Sequence, residues 1–136
     1  MSFAALALLP LFLAAPPAPQ ALPRPNDEVD VTAGAVTALS CALVARDQAK
    51  LAALTECNFA EALREIVVYD VAEKQVYRLT GKRVARWQLE SAFGGGSIDF
   101  TGSVKKADAK SGVVVVEVDE LTVTAKPKAG SFKGCL

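Results

Sequence analysis

The sequence contains no histidine among its 136 residues. Histidine is the side chain whose ordinary pKa lies between pH 5 and 8, and it is the commonest metal ligand in proteins. Its absence therefore excludes enzymes that need a histidine base, as well as histidine-ligated metal centres. The chain also lacks net charge, since 15 Lys and Arg balance 15 Asp and Glu. A neutral chain has no long-range attraction for nucleic acids or anionic membranes, so we expect no nucleic-acid partner.

Cysteine is scarce, and the three present are far apart: Cys41, Cys57 and Cys135. No Cys-x-x-Cys motif occurs, which disfavours both a redox site and a metal site. In an exported chain, three cysteines predict one disulfide and one remaining thiol. Three pairings are possible, and we favour Cys57 with Cys135, because this bond would hold the C-terminal tail. Cys41 would then be a buried free thiol.

The longest apolar run, residues 3–15, is too short to span a bilayer comfortably. Its length is typical of a signal peptide, which we place at residues 1–21, although no basic residue precedes the run. An ordinary apolar terminus or a retained anchor is the alternative. Residues 22–27 form the last part of a proline-rich linker, and residues 28–136 form one domain. After signal removal we expect no stable membrane span.

Two long strands are predicted between Ser97 and Lys126. Ile98, Phe100 and Val104 alternate with polar residues in the first strand, and Val114 to Val118 continue the alternation in the second. This period of two in β-branched residues indicates strands with one apolar and one polar face. The carboxylates of this region, Asp99, Glu117 and Asp119, then lie on solvated faces rather than in a catalytic pair.

The earlier part of the chain predicts a hairpin and short helices. Residues 66–71 and 75–80 are rich in Val, Ile and Tyr around a short polar link, as in a hairpin. Residues 31–45 fit a strand or a helix, with a preference for a strand, and Asp47 fits the N-cap of a helix ending near Cys57. Residues 82–93 also fit either structure; a helix stopped by Gly94 to Gly96 is favoured, with Trp87 packing it onto the sheet.

The order strand, short helix, hairpin, helix, strand, strand predicts a mainly β (α+β) fold. We expect a small five-stranded OB-like antiparallel barrel with one or two short helices. The alternative is N-terminal helices packed on an antiparallel sheet. The chain resembles small exported bacterial proteins with an OB-like core and no assigned activity. The resemblance lies in the hydrophobic and glycine pattern of residues 34–41, 76–79, 96–104 and 113–118.

The predicted function is that of an exported, non-enzymatic binding or accessory module of the bacterial cell envelope, periplasmic or secreted. Its partner would be an envelope protein or a small ligand; no cofactor, metal or catalytic residue is predicted. Because OB-type barrels bind ligands through aromatic side chains, the candidate ligand face comprises Tyr69, Tyr77, Arg78, Arg83 and Arg86. The alternatives are a structural envelope protein without a ligand and a cysteine-dependent redox protein.

Overall fold

The computed structural model of the chain describes residues 22–62 and 65–127. Five strands and four short helices follow one another in the order β1 Glu28–Ala38, α1 Leu39–Asp47, α2 Ala52–Thr55, α3 Phe59–Ala62, β2 Ile66–Asp70, β3 Gln75–Thr80, α4 Arg86–Ala92, β4 Ser97–Ala107 and β5 Val114–Ala125. The predicted signal peptide and Cys135 lie outside the described residues.

The strands close into a barrel in the order β1-β2-β3-β5-β4, with β4 returning to β1. This confirms the OB-like barrel with short helices. Four strand pairs are antiparallel, but β3 and β5 are parallel, so the barrel is mixed rather than wholly antiparallel. A parallel pair is required because strand direction cannot alternate at every step around a closed ring with an odd number of strands.

The barrel interior is filled by the alternating apolar residues predicted for β4 and β5. Ile98, Phe100 and Val104 point inward from β4 and meet Val114 and Val116 of β5, all of them nearly inaccessible to solvent. Tyr77 of β3 also lies inside, with its ring edge-on to Phe100 at a centroid distance of 5.6 Å. The predicted apolar face of the two long strands is therefore confirmed.

The ambiguous segment 31–45 contains both predicted structures. β1 runs to Ala38, and α1 begins at the next residue, Leu39. Asp47 does not cap the following helix; it ends α1 and pairs with Arg46 at 2.8 Å. Apolar residues occur on both sides of this segment, so its hydrophobic pattern fits a strand and a helix alike. Both sides are apolar because α1 also packs on the sheet.

The helix predicted between the third and fourth strands is confirmed as α4, but the prediction for Trp87 is wrong. Leu89 and Ala92 are the α4 side chains that enter the barrel core. Trp87 lies on the opposite side of the short helix and is 68% exposed. Leu89 and Ala92 are spaced by three positions and already form the buried side of α4, which leaves Trp87 on the solvent side.

Candidate functional site

A layer of helix covers part of the outer face of the barrel, over β2 and β3. Ala42 and Ala45 of α1 and Leu54 of α2 pack against the outward-facing side chains of the sheet, namely Val67, Tyr69, Val76 and Val113. The small alanine side chains allow α1 to approach the strands closely, and Tyr69 is only 2% exposed beneath it. OB barrels commonly bind ligands through the face of strands 2 and 3, so the helical layer closes that part of the outer face.

The helical layer is held in place at both ends. A disulfide joins Cys41, in the first turn of α1, to Cys57, just beyond α2. At the other end of α1, Arg46 Nη1 donates a hydrogen bond of 2.6 Å to the carbonyl oxygen of Ser111, in the β4–β5 loop. Gln75 Nε2 donates to the neighbouring Gly112 carbonyl at 2.7 Å. The β1–β2 and β4–β5 connections, which flank the ligand in OB folds, are thus bonded together.

The predicted pairing of the cysteines is wrong. Cys57 bonds to Cys41 rather than to Cys135, so Cys41 is not a free thiol. The prediction placed Cys41 inside a strand, whereas α1 has already begun there and turns the side chain toward the link after α2. A Cα–Cα separation of 5.9 Å is within the usual range for a disulfide. An intramolecular disulfide indicates an oxidising compartment outside the cytoplasm.

The outer face of β3, β5 and β4 beyond the helical layer is open around Arg78. In the strand register, Arg78 stands beside Val115 of β5, and Val115 stands beside Lys106 of β4. Val115 faces outward but is only 8% exposed, between its two cationic neighbours. A cavity of about 300 Å³ lies here, lined by Arg78, Lys106, Ala107, Asp108, Ser111, Val113 and Val115. It combines an apolar floor with walls that carry two cations and one carboxylate, Asp108.

A second cavity of about 320 Å³ shares Arg78 with the first. Its apolar part comes from Ile66, Leu79, Val84 and Leu89, and its polar part from Glu65, Thr80 and Arg86. The two cavities therefore meet at the Arg78 side chain. We call the pair of cavities the Arg78 groove.

The charges of the Arg78 groove are only partly neutralised within the protein. Arg78 Nε pairs with a carboxylate oxygen of Glu65, and Arg86 pairs with Glu90 at 2.7 Å. Lys106 has no ion-pair partner among residues 22–62 and 65–127. Asp108 accepts a hydrogen bond from the Lys110 backbone, which, with the Ser111 side chain, lowers the pKa of its carboxyl. Three cations (Arg78, Arg86 and Lys106) and two carboxylates (Glu65 and Asp108) thus line the groove around an apolar floor, and Lys106 is the one of these cations without an ion pair in the described residues.

The predicted ligand face is only partly brought together. Tyr69 is buried under α1 and Tyr77 is buried inside the barrel, so neither presents a ring to a ligand and this part of the prediction is wrong. Arg78 and Arg86 do line one cavity, whereas Arg83 is exposed outside it. The exposure of the two tyrosines was predicted wrongly for two reasons. The segment that forms the covering helix α1 was interpreted as a strand, and the sequence did not show which β3 residues face into the barrel.

Lys106 and Val115 were missed as groove residues. The register between β4 and β5 shifts between Val104 and Lys106, and Lys105 is the extra residue. This bulge places Lys106 on the outer face beside Val115, although simple alternation from Val104 would place it inside. A bulge of this kind leaves no clear signal in the sequence.

Other kinds of site find no support in the described residues. No group of three or more acidic, cysteine or histidine side chains there could hold a metal ion. No helix in the same residues has the length and apolar character to cross a bilayer. Comparisons of the chain with known protein families, with curated proteins and with solved structures found no match.

Proposed function

We propose that the protein is an exported, non-enzymatic binding module of the bacterial cell envelope, and that the Arg78 groove receives an acidic ligand. The observation that carries the proposal is the geometry of the outer face: α1 and α2 close the part over β2 and β3, and the open part over β3, β5 and β4 holds Arg78 and Lys106 beside an apolar floor. Such a groove suits a ligand that combines a carboxylate or phosphate with an apolar portion.

The compartment in this proposal rests on the Cys41–Cys57 disulfide and on the apolar N-terminal run. Disulfides persist in oxidising compartments and are rare in the cytoplasm. The intact mass of the protein from the envelope fraction tests this part. We expect a mature N-terminus near Leu22 and one disulfide. An uncleaved cytoplasmic chain with three free thiols would contradict export.

Binding at the groove is tested by NMR titration of the ¹⁵N-labelled protein with an acidic peptide, acetyl-hexaglutamate. We expect the largest shifts at the backbone amides of Lys106, Asp108 and Val115. Lys106→Gln should weaken binding about fivefold, because it removes one charge-assisted contact without breaking an ion pair of the protein. Lys110→Gln removes the same charge from the adjoining β4–β5 loop, outside the groove lining, and should leave the affinity unchanged.

A structural envelope protein without a ligand is the competing function. It predicts no localised shifts at the groove with hexaglutamate, and equal behaviour of the Lys106→Gln and Lys110→Gln variants. That result would overturn the ligand-binding proposal while leaving the compartment intact.

A further inference from the structure

The outward face of α4 carries an exposed aromatic side chain beside cations. Trp87 is the only tryptophan in the chain and is 68% exposed, the highest value among the large apolar side chains of the described residues. Lys82 and Arg83 are exposed in the turn that leads into α4, and Arg86 is the first residue of the helix. Glu90 is the one carboxylate on the helix, and Arg86 pairs with it at 2.7 Å.

The rest of the molecule holds this face rigidly outward. Leu89 and Ala92 fix the inner side of α4 in the barrel core. Gln88 Oε1 accepts a hydrogen bond from the backbone N–H of Ala85, which caps the start of the helix. At the other end, the backbone N–H of Gly94 donates to Val36 O of β1 at 3.2 Å. Trp87 therefore cannot turn inward without dismantling α4.

We propose that Lys82, Arg83, Arg86 and Trp87 form a docking surface for the headgroup region of an anionic phospholipid bilayer. An indole ring prefers the membrane–water interface, where its apolar body and its N–H are both accommodated. Lysine and arginine side chains beside it are attracted to anionic headgroups. The chain as a whole is neutral, so the attraction is local to this cationic surface and acts within a Debye length.

A protein partner fits this surface less well. A stable protein interface buries on the order of 1,000 Å² or more around an apolar centre. Of the other exposed large apolar side chains, Val71 lies in the β2–β3 turn, at the end of β3 opposite to the one that leads into α4, and Leu51 precedes α2, which packs mainly on α1 and β1. A single indole among cations matches headgroup insertion, which needs no continuous apolar area.

The single tryptophan makes the test direct, because fluorescence of the purified full chain reports only on Trp87. We expect vesicles of equal phosphatidylglycerol and phosphatidylcholine to shift its emission to the blue, and brominated lipid to quench it. Pure phosphatidylcholine vesicles should have much less effect. The signal belongs to Trp87 even where another segment, such as the N-terminal apolar run, also contacts the vesicle.

The variants use matched charge changes. Lys82→Gln with Arg83→Gln should weaken the fluorescence-detected partitioning about 25-fold, at roughly fivefold for each cation near an anionic surface. Lys50→Gln with Lys110→Gln removes two exposed cations elsewhere and should leave the partitioning unchanged. Equal effects of the two pairs, no blue shift with anionic vesicles, or an already blue emission in the free protein would each overturn the proposal.

This docking surface shares the proposed export with the function above, and it shares one residue, Arg86, with the groove; Lys82, Arg83 and Trp87 lie outside the groove lining. Lys106→Gln should weaken hexaglutamate binding without altering the vesicle signal, and Lys82→Gln with Arg83→Gln should do the reverse. A blue shift of Trp87 with hexaglutamate but not with vesicles would assign the surface to an acidic protein segment instead.

Discussion

Thr37 is a buried polar residue whose hydroxyl has no hydrogen-bond partner among the described residues. It lies on β1 opposite Val67 of β2, and its side chain is fully inaccessible to solvent. A buried hydroxyl without a partner loses its hydrogen bonds to water on folding and gains nothing in return. Thr37 therefore lowers the stability of the outer sheet face on which the helices pack.

We expect Thr37→Val to raise the free energy of unfolding by about 1 kcal/mol, because it keeps the shape and removes the unpaired hydroxyl. Thr37→Ser keeps the hydroxyl and loses the methyl group, so it should lower the free energy of unfolding by about 1 kcal/mol. Urea denaturation of both variants measures the difference. A destabilised Thr37→Val would mean that the hydroxyl is hydrogen-bonded in solution.

Single residues were predictable where one period dominated the sequence. Ile98, Phe100 and Val116 were placed inside the sheet by alternation alone, and the structure agrees. The burial of Tyr69 and Tyr77 was not predicted. A tyrosine is compatible with either face of a strand, and the sequence does not show which helix covers it. Of the candidate ligand residues, only Arg78 and Arg86 line the groove.

At the scale of elements, the α1–α2 layer depends on its disulfide. The Cys41–Cys57 bond closes a short loop, with a sequence separation of 16. In the chain-entropy account, a loop of this size contributes about 3 kcal/mol by restricting the unfolded chain. The bond thereby helps to hold α1 and α2 against the outer face of β2 and β3.

We predict that Cys41→Ala with Cys57→Ala lowers the free energy of unfolding by about 3 kcal/mol. Urea denaturation with and without a phosphine reductant measures this loss: the reductant should destabilise the native protein and have no effect on the double variant. Cys135→Ala is the matched control and should leave the urea midpoint unchanged. A large effect of Cys135→Ala, with little effect of the double variant, would restore the pairing of Cys57 with Cys135.

The inward face of β5 gives a second test at this scale. Val116 is fully buried in the barrel, whereas its neighbour Glu117 is exposed and pairs with Lys105 at 3.4 Å. Val116→Asp places a charge in the core and should unfold the domain. Glu117→Gln removes a surface ion pair and should change the stability by less than about 1 kcal/mol. Thermal melting followed by circular dichroism compares the two variants. An unchanged melting temperature for Val116→Asp would show that the assigned strand register is wrong by one residue.

The elements themselves were largely predictable, and their boundaries were not. The hairpin and the two long strands follow from clear periodicity, whereas α4 was favoured over a strand only because of the glycines that follow it. The junction of β1 and α1 at Ala38 and Leu39 was not predictable from the sequence. A segment with apolar residues on two sides fits the strand period and the helix period at once. Because of that ambiguity, the sequence did not predict the α1–α2 layer that borders the groove.

At the scale of the whole molecule, the groove results from the combination of barrel closure and incomplete cover. The parallel pairing of β3 with β5 places Arg78 beside Val115, which is distant from it in sequence, and the pairing of β4 with β5 adds Lys106. The cover leaves this part of the outer face open because the nine residues of α1 end at Asp47. No local pattern encodes such a juxtaposition, which depends on the register, the bulge at Lys105 and the helix length together.

The response of the whole molecule to alkaline pH follows from its two tyrosines, Tyr69 and Tyr77. Burial raises the pKa of both above the usual value of about 10, and the carboxylates of Asp70 and Glu73 raise that of Tyr77 further. Above about pH 10 the unfolded chain therefore releases protons that the folded protein still holds. The stabilisation is complete below the unfolded pKa and is lost as the pH rises through the folded pKa.

We therefore predict that the free energy of unfolding falls from about pH 10 upward, by at most about 1.4 kcal/mol per pH unit for each tyrosine. The double variant Tyr69→Phe with Tyr77→Phe should show a shallower decline, because it removes both groups and keeps their packing. Urea denaturation at a series of pH values from about 7 to 11 measures the two slopes. Equal slopes would show that the tyrosines titrate alike in both states. A steep change between about pH 6 and 8 would also contradict the argument, because the chain has no histidine to titrate there.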